Sequence, residues 1–286
     1  MDQFQRALDF TTDSLRKLSE SGSNLRGSRE SLQRLAKARI EVNAAPPPAA
    51  APAKPVPVAP PAKAHAPPAQ PSAEVFPTTG ATREARIEQL RAAVAPCAKC
   101  PALARTRTQT VFGVGNIEAR IMFVGEAPGA DEDLQGEPFV GKAGQLLTRI
   151  IIAMGLQRSD VSIANVLKCR PDMPPSSSGN RRPTTAEMQT CLPYLRAQIE
   201  VIKPAALIAL GSVAMEGLLG AVEPMSRLRG RWHEFQRIPL MATYHPAYLL
   251  RNQSLGEKRK VWEDMLLVME RTGMPISEKQ RGYFLR

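Results

Sequence analysis

Ile121-Met122-Phe123-Val124-Gly125-Glu126-Ala127-Pro128-Gly129 is the stretch that decides the fold. Four consecutive apolar residues without alternation read as a strand covered on both faces. A glycine-bounded turn closes it, and a helical pattern then runs from Gly144 to Met154. Three more short apolar runs lie at 161–164, 206–210 and 240–243, separated by helical patterns from Thr185 to Ile202 and from Ser212 to Leu219. Strands alternating with helices predict an α/β domain, a four-stranded parallel sheet flanked by helices. In such sheets ligands bind outside the carboxyl ends of the strands. The distinctive loops fall there, at 125–129, 165–171, 211–212 and 245–246.

Working outward, Ile87, Leu90 and Val94 suggest a helix that ends at Pro96, so the globular domain is expected over 82–275, with a C-terminal tail at 276–286. Residues 44–81 are dominated by Ala and Pro and read as a disordered linker. At roughly 3.1 Å per residue such a spacer reaches on the order of 100 Å. Residues 1–43 carry Phe4, Leu8, Leu15 and Leu18 at helical spacing, a break at 21–24, then Leu32 and Leu35. They read either as a solvated helical extension or as helices that dock on a protein partner.

The chain has 286 residues and a net charge of +11, which favours a polyanionic partner without naming one. No apolar run is long enough to span a bilayer. The first residues lack the basic-then-apolar order of a secretory signal. A soluble cytoplasmic protein is expected, with no membrane partner. The 125–129 loop contains neither a dinucleotide fingerprint nor a P-loop lysine.

Cys97, Cys100, Cys169 and Cys191 are the only cysteines. Cys97-Ala-Lys-Cys100 is a compact knuckle, whereas Cys169 and Cys191 are too far apart to form a second one. A zinc ribbon normally wants two tight pairs. A looser all-thiolate set suits an iron–sulfur cluster at least as well. Spacing alone leaves iron–sulfur, zinc and unrelated buried cysteines all open.

Several motifs occur in order: the 125–133 loop with Gly136-Glu137-Pro138-Phe139-Val140-Gly141-Lys142-Ala143-Gly144-Gln145; Arg107-Thr108-Gln109-Thr110-Val111-Phe112-Gly113; Asn165-Val166-Leu167-Lys168-Cys169-Arg170-Pro171; Gly179-Asn180-Arg181-Arg182-Pro183; and His245-Pro246-Ala247-Tyr248-Leu249-Leu250-Arg251. Together they resemble the family 4 uracil-DNA glycosylases over roughly residues 85–270. The resemblance implies a monofunctional glycosylase that flips uracil out of DNA and hydrolyses its N-glycosidic bond. It also implies a [4Fe–4S] cluster on Cys97, Cys100, Cys169 and Cys191.

The chemistry suits these residues. Glycosidic cleavage builds positive charge on the sugar and negative charge on the departing uracil. His245 is placed to hydrogen-bond uracil O2 as that charge develops. The Asn165 amide can donate to O4 and accept from N3–H, a pattern that cytosine reverses. Gly125 allows close backbone approach to a planar ligand, and Phe139 is the expected stacking platform for the flipped base. Glu126 is expected either to hold the attacking water or to stabilise the sugar cation. By resemblance Glu132 crowds uracil C5 and excludes thymine's methyl, with Asp131 as the neighbouring alternative. Leu249, Leu250 and Arg251 supply an apolar wedge and a phosphate contact. A related group carries a histidine in the loop after Cys169 and becomes covalently attached to DNA. This chain has no histidine between Cys169 and Cys191, which implies turnover. Tyr248 stands where smaller residues are familiar. The competing reading is a non-catalytic iron–sulfur DNA-binding scaffold that retains the fold.

Overall fold

The computed structural model describes residues 74–173, 179–220 and 222–285. The expected N-terminal helices, and the linker as far as residue 73, lie outside the described residues. Helices α1 (Arg83–Val94) and α2 (Pro101–Thr106) precede strands β1 (Val114–Gly115) and β2 (Ile121–Gly125). Helices α3 (Ala130–Gln135) and α4 (Lys142–Ala153) lead to β3 (Ser162–Asn165). Then come α5 (Thr185–Ile202), β4 (Ala206–Leu210), α6 (Ser212–Leu219) and α7 (Met225–Leu228). The chain finishes with β5 (Trp232–Phe235), β6 (Ile238–Thr243), α8 (Pro246–Arg251), α9 (Leu255–Arg271) and α10 (Glu278–Arg281).

The sheet order is β1-β3-β2-β4-β6-β5. The inner four strands are parallel, as the continuous apolar runs require. Two antiparallel strands at the edges widen the expected four-stranded sheet to six. Neither edge strand has a sequence signal. β1 is two residues long. β5 is joined to β6 through Gln236 and Arg237, both with positive φ, which is the backbone of a tight hairpin turn. Asn or Gly normally advertises that turn, and neither is present.

Side chains along β2 alternate between two cores. Met122 and Val124 join the layer built from α1, α5 and α6, whereas Ile121 and Phe123 join the layer of α4 and α9. The sheet is thus covered on both faces. Thr184 starts α5 with a capping box: its hydroxyl accepts from the Glu187 amide, and Glu187 accepts from the Thr184 amide.

Two boundaries differ from the sequence reading. Residues 74–81 had the composition of the linker, yet Val75 and Phe76 pack on the core. The Phe76 amide donates to Pro193 O at 3.1 Å, and its ring lies 5.0 Å from that of Tyr194. Flanking prolines and alanines hid this short docking segment. Likewise the tail is part of the domain: Ile276 and Tyr283 pack on the α4/α9 core, and Trp262 Nε1 donates to Gln280 O at 2.6 Å. So short a segment carries no periodicity by which to read it.

One polar clamp holds the far end of β6. Asp264, fully buried on α9, accepts from Arg229 Nη2 at 2.7 Å, Arg229 Nε at 3.1 Å and Thr243 Oγ1 at 2.7 Å. Burial pushes its carboxyl up to about 6, against the pull of Thr243 and Arg229. Removing one partner of a buried pair leaves the other charge uncompensated. Asp264→Ala should therefore lower unfolding stability by about 3–5 kcal/mol in a denaturant melt. A loss below about 1 kcal/mol, the level of an exposed pair, would show that the clamp does not hold the strand.

Candidate functional site

The parallel register brings the functional loops together. Gly125 at the end of β2 pairs directly with Asn165 at the end of β3. A Cβ on Gly125 would lie 2.5 Å from the Phe139 ring and closer still to the Asn165 amide oxygen. Only glycine permits this approach. Asn165 is 1% exposed, and neither Nδ2 nor Oδ1 has a hydrogen-bond partner. Each such unsatisfied group costs about 1–3 kcal/mol, so the amide is prepared for something else.

Phe139 sits beside it in left-handed backbone conformation, φ 56°. A non-glycine residue held there stores strain, which surrounding contacts must over-determine. They do. Glu132 Oε1 accepts from the Val140 and Gly141 amides at 3.0 and 3.1 Å, and Oε2 from Gly129 at 3.0 Å. Gly144, in the first turn of α4, has no room for a Cβ against the Phe139 carbonyl.

His245 caps the start of α8. Its Nδ1 accepts from the Ala247 amide at 3.1 Å, which leaves Nε2 to carry the proton of the neutral ring. Burial, reinforced by the Arg251 charge and opposed by Glu132, pulls its pKa down to about 4. The ring stands 5.6 Å from that of Phe139. Glu126 lies just past β2, where burial raises its carboxyl pKa against the opposing Arg182 charge. Glu126 and His245 both open onto a cleft of about 520 Å³, whose walls include Ser212, Tyr244, Tyr248 and Arg251.

Gly125, Phe139 and Asn165 thus form one contact set, with His245 against Phe139 and Glu126 on the cleft that His245 also lines. Two expected residues make definite local contacts. Both Glu132 oxygens are engaged in bracing the Gly129 and Val140–Gly141 turns. Leu249 is 4% exposed. It faces the apolar groove between α8, α4 and α9 and fastens the helix there. Leu250 is half-buried and Arg251 exposed at the end of α8.

The four cysteines gather between α1, α2, the β3 loop and α5. Cys169 and Cys191 are buried, with Cys97 and Cys100 packed on the same core. Burial raises the Cys100 thiol pKa, reinforced by Cys169, Glu187 and Cys97 nearby, and burial likewise raises that of Cys191, with Cys169 and Cys97 adding to it. Arg107 Nη1 donates to Cys169 Sγ at 3.0 Å, the Lys168 amide to Cys191 Sγ at 3.3 Å, and Tyr194 Oη to Cys97 Sγ at 3.6 Å. Among the described residues, no three His, Cys, Asp or Glu side chains form a group suited to a single metal ion.

Lys168 was passed over in the sequence, where it looked like one basic residue among many. It is 1% exposed, and its Nζ donates to Asn165 O at 3.0 Å and Gln198 Oε1 at 2.6 Å. Gln198 in turn donates to Phe112 O at 3.1 Å. Lys168 therefore ties the carbonyl of Asn165 to α5, the helix that carries Cys191. A lysine inside an apolar run directly before a cysteine was the available signal.

The His245 shift has a definite sign. Its folded pKa of about 4 lies below the ordinary 6.5. Between these values the unfolded chain takes up a proton that the folded ring refuses, so stability falls as pH falls through that window. An NMR titration should find this ring neutral down to about pH 5. A midpoint at the ordinary value would contradict the desolvated, Nε2-protonated ring.

Comparisons with known proteins converge on one family. A family model described as the uracil DNA glycosylase superfamily matches residues 112–266. A type-4 uracil-DNA glycosylase of Thermotoga maritima is 43% identical over 188 residues, covering 64% of this chain and 93% of that protein. A type-4 enzyme of Archaeoglobus fulgidus is 45% identical over 170 residues, 57% of this chain and 82% of that one. A type-5 uracil-DNA glycosylase of Pyrobaculum aerophilum is more distant, 27% identical over 186 residues, 54% of this chain and 79% of that protein.

Proposed function

The chain belongs to the uracil-DNA glycosylase superfamily, and we propose that it extrudes uracil from DNA and hydrolyses its N-glycosidic bond, leaving an abasic site for repair. The observation that carries this reading is the buried Asn165 amide with both polar atoms unpartnered, beside Phe139 and against a glycine backbone. A flipped uracil satisfies it: Nδ2 donates to O4 and Oδ1 accepts from N3–H. Cytosine presents the opposite polarity and would leave the amide unsatisfied. Phe139 provides the stacking face. The protonated Nε2 of His245 donates to O2 as negative charge develops there, and a neutral donor suffices. Glu126 serves the other half of the reaction, holding the attacking water or facing the sugar cation. Glu132 acts on the C5 side through the turns that it braces. Leu250 and Arg251 stand as wedge and phosphate contact.

We assign Cys97, Cys100, Cys169 and Cys191 to a [4Fe–4S] cluster. Four thiols with N–H and O–H donors on three of the sulfurs fit an anionic thiolate-bound cluster. Such donors are the outer support that tunes metal centres. Burial raises the Cys191 thiol to about 12, so ionising it calls for a bound cation. When bound, the cluster would cross-link the 97–100 segment to the Asn165 loop and α5. Base hydrolysis moves no electrons, so its role is architectural. No helix among the described residues is long and apolar enough to cross a membrane. We place the protein in the cytoplasm with DNA as its partner.

A single-turnover assay on a uracil oligonucleotide should release free uracil and leave a strand that breaks only after alkali. His245→Ala should slow release by about 10²–10³-fold while DNA binding persists. Wild-type protein that binds DNA but releases no uracil would identify a scaffold instead. Strand breaks before alkali would overturn the monofunctional assignment.

Anaerobically purified protein should contain iron and absorb broadly in the visible. Cys100→Ala should lower iron content and folding stability before activity falls. Stoichiometric zinc without iron would overturn the cluster assignment.

A further inference from the structure

The cleft onto which Glu126 and His245 open is also lined by Met225, Tyr244, Tyr248 and Arg251. Tyr244 and Tyr248 stack, with ring centroids 4.5 Å apart and planes inclined by 22°. Both are half-buried. The pair is rigidly mounted. Tyr244 directly precedes His245 in the chain, and Tyr248 lies one turn along α8. The Tyr248 hydroxyl donates to Glu257 Oε2 at 3.2 Å and accepts from Asn252 Nδ2 at 3.2 Å. These bonds fix the ring before any ligand arrives. Arg251, on the same helix and wall, is exposed and outside the ion pairs seen among the described residues.

Fixed aromatic faces beside a cation are the equipment with which proteins hold unpaired nucleotides: bases stack on the rings and the cation meets the backbone. A merely structural tyrosine pair could be closed off in the core. This one opens onto the cleft that also holds the His245 ring. We propose that the Tyr244–Tyr248 stack is a second base-binding subsite, which takes the unpaired nucleobase flanking the extruded uracil on the same strand. Arg251 meets the phosphate between them. Stacking tolerates every base, so the subsite selects unpaired neighbours rather than a sequence. The proposal rests on the uracil-glycosylase reading and deepens it.

The test uses the full-length protein and single-stranded oligonucleotides in which the uracil nucleotide carries a 2′-fluoro group that blocks hydrolysis. An abasic spacer replaces the base on the 5′ or the 3′ side. Wild-type protein should lose about tenfold in affinity for the spacer on one side and little on the other. A 2-aminopurine in the sensitive position should be quenched on binding. Tyr244→Phe should keep both effects, whereas Tyr244→Leu, and independently Tyr248→Leu, should bind intact and spacer strands equally and lose the quenching. Melting curves establish that each variant is folded. No loss on either side with wild-type protein, or an equal spacer penalty in wild type and the leucine variants, would overturn the subsite. Excision of an ordinary uracil by wild-type protein is measured in parallel. Normal excision without a spacer effect removes only the subsite, whereas absent excision removes the glycosylase reading itself.

Discussion

The close approach at Gly125 is the constraint on which the site depends. Parallel pairing sets Gly125 level with Asn165, and the missing Cβ lets the amide and the Phe139 ring meet the same piece of backbone. The rest of the local structure serves that contact. Glu132 spends both carboxylate oxygens on the turns flanking Phe139. Gly144 lets α4 begin directly under the Phe139 carbonyl. Lys168 holds the carbonyl of Asn165 from behind, leaving the side-chain amide unpaired in front. A site that reads hydrogen-bond polarity must be fixed before the base arrives, because an amide free to turn over would accept uracil and cytosine alike.

Burial also sets the charge states. Around His245 it favours a neutral ring, and the Ala247 amide on Nδ1 puts the remaining proton on Nε2. A donor arranged in this way needs no reorganisation as negative charge appears opposite it. Around the cysteines burial resists ionisation, and the donors from Arg107, Lys168 and Tyr194 show where anionic sulfur would be stabilised. Lys168 belongs to both regions, since its side chain holds the Asn165 loop and its amide donates to Cys191. The Asn165 loop and the cysteine site are thus parts of one buried polar network.

Much of this was legible in the sequence. Runs such as 121–124 and 206–210 have no polar face to offer solvent, so they had to be strands inside a layered α/β fold, and their loops had to share one end of the sheet. The boundaries of α5 and α6 matched the helical patterns because a Thr184 capping box, a Gly211 turn and a Gly220 stop mark them. The edge strands escaped notice because β1 is too short for a pattern and the Gln236-Arg237 turn uses residues that do not announce positive φ. Phe76 escaped because two apolar residues among prolines look like linker until Tyr194 and Pro193 are seen beneath them.

The sequence by itself determined the α/β class, the candidate loops at the carboxyl ends of the strands, the grouping of four cysteines as candidate ligands, and the family resemblance. The class and the loop positions follow from local composition and periodicity, and the resemblance from motifs in the chain such as 165–171 and 245–251; the chain carries all of these wherever it folds. Only the tertiary structure decided that the Asn165 amide is buried without a partner, that Lys168 is an internal strut, that Glu132 braces two turns, and that Leu249 faces inward while Tyr244 and Tyr248 line the cleft. Each of these depends on what lies opposite a side chain from a distant part of the chain. Residue type and spacing set which bonds a group can make, and packing sets which of them are left unmade.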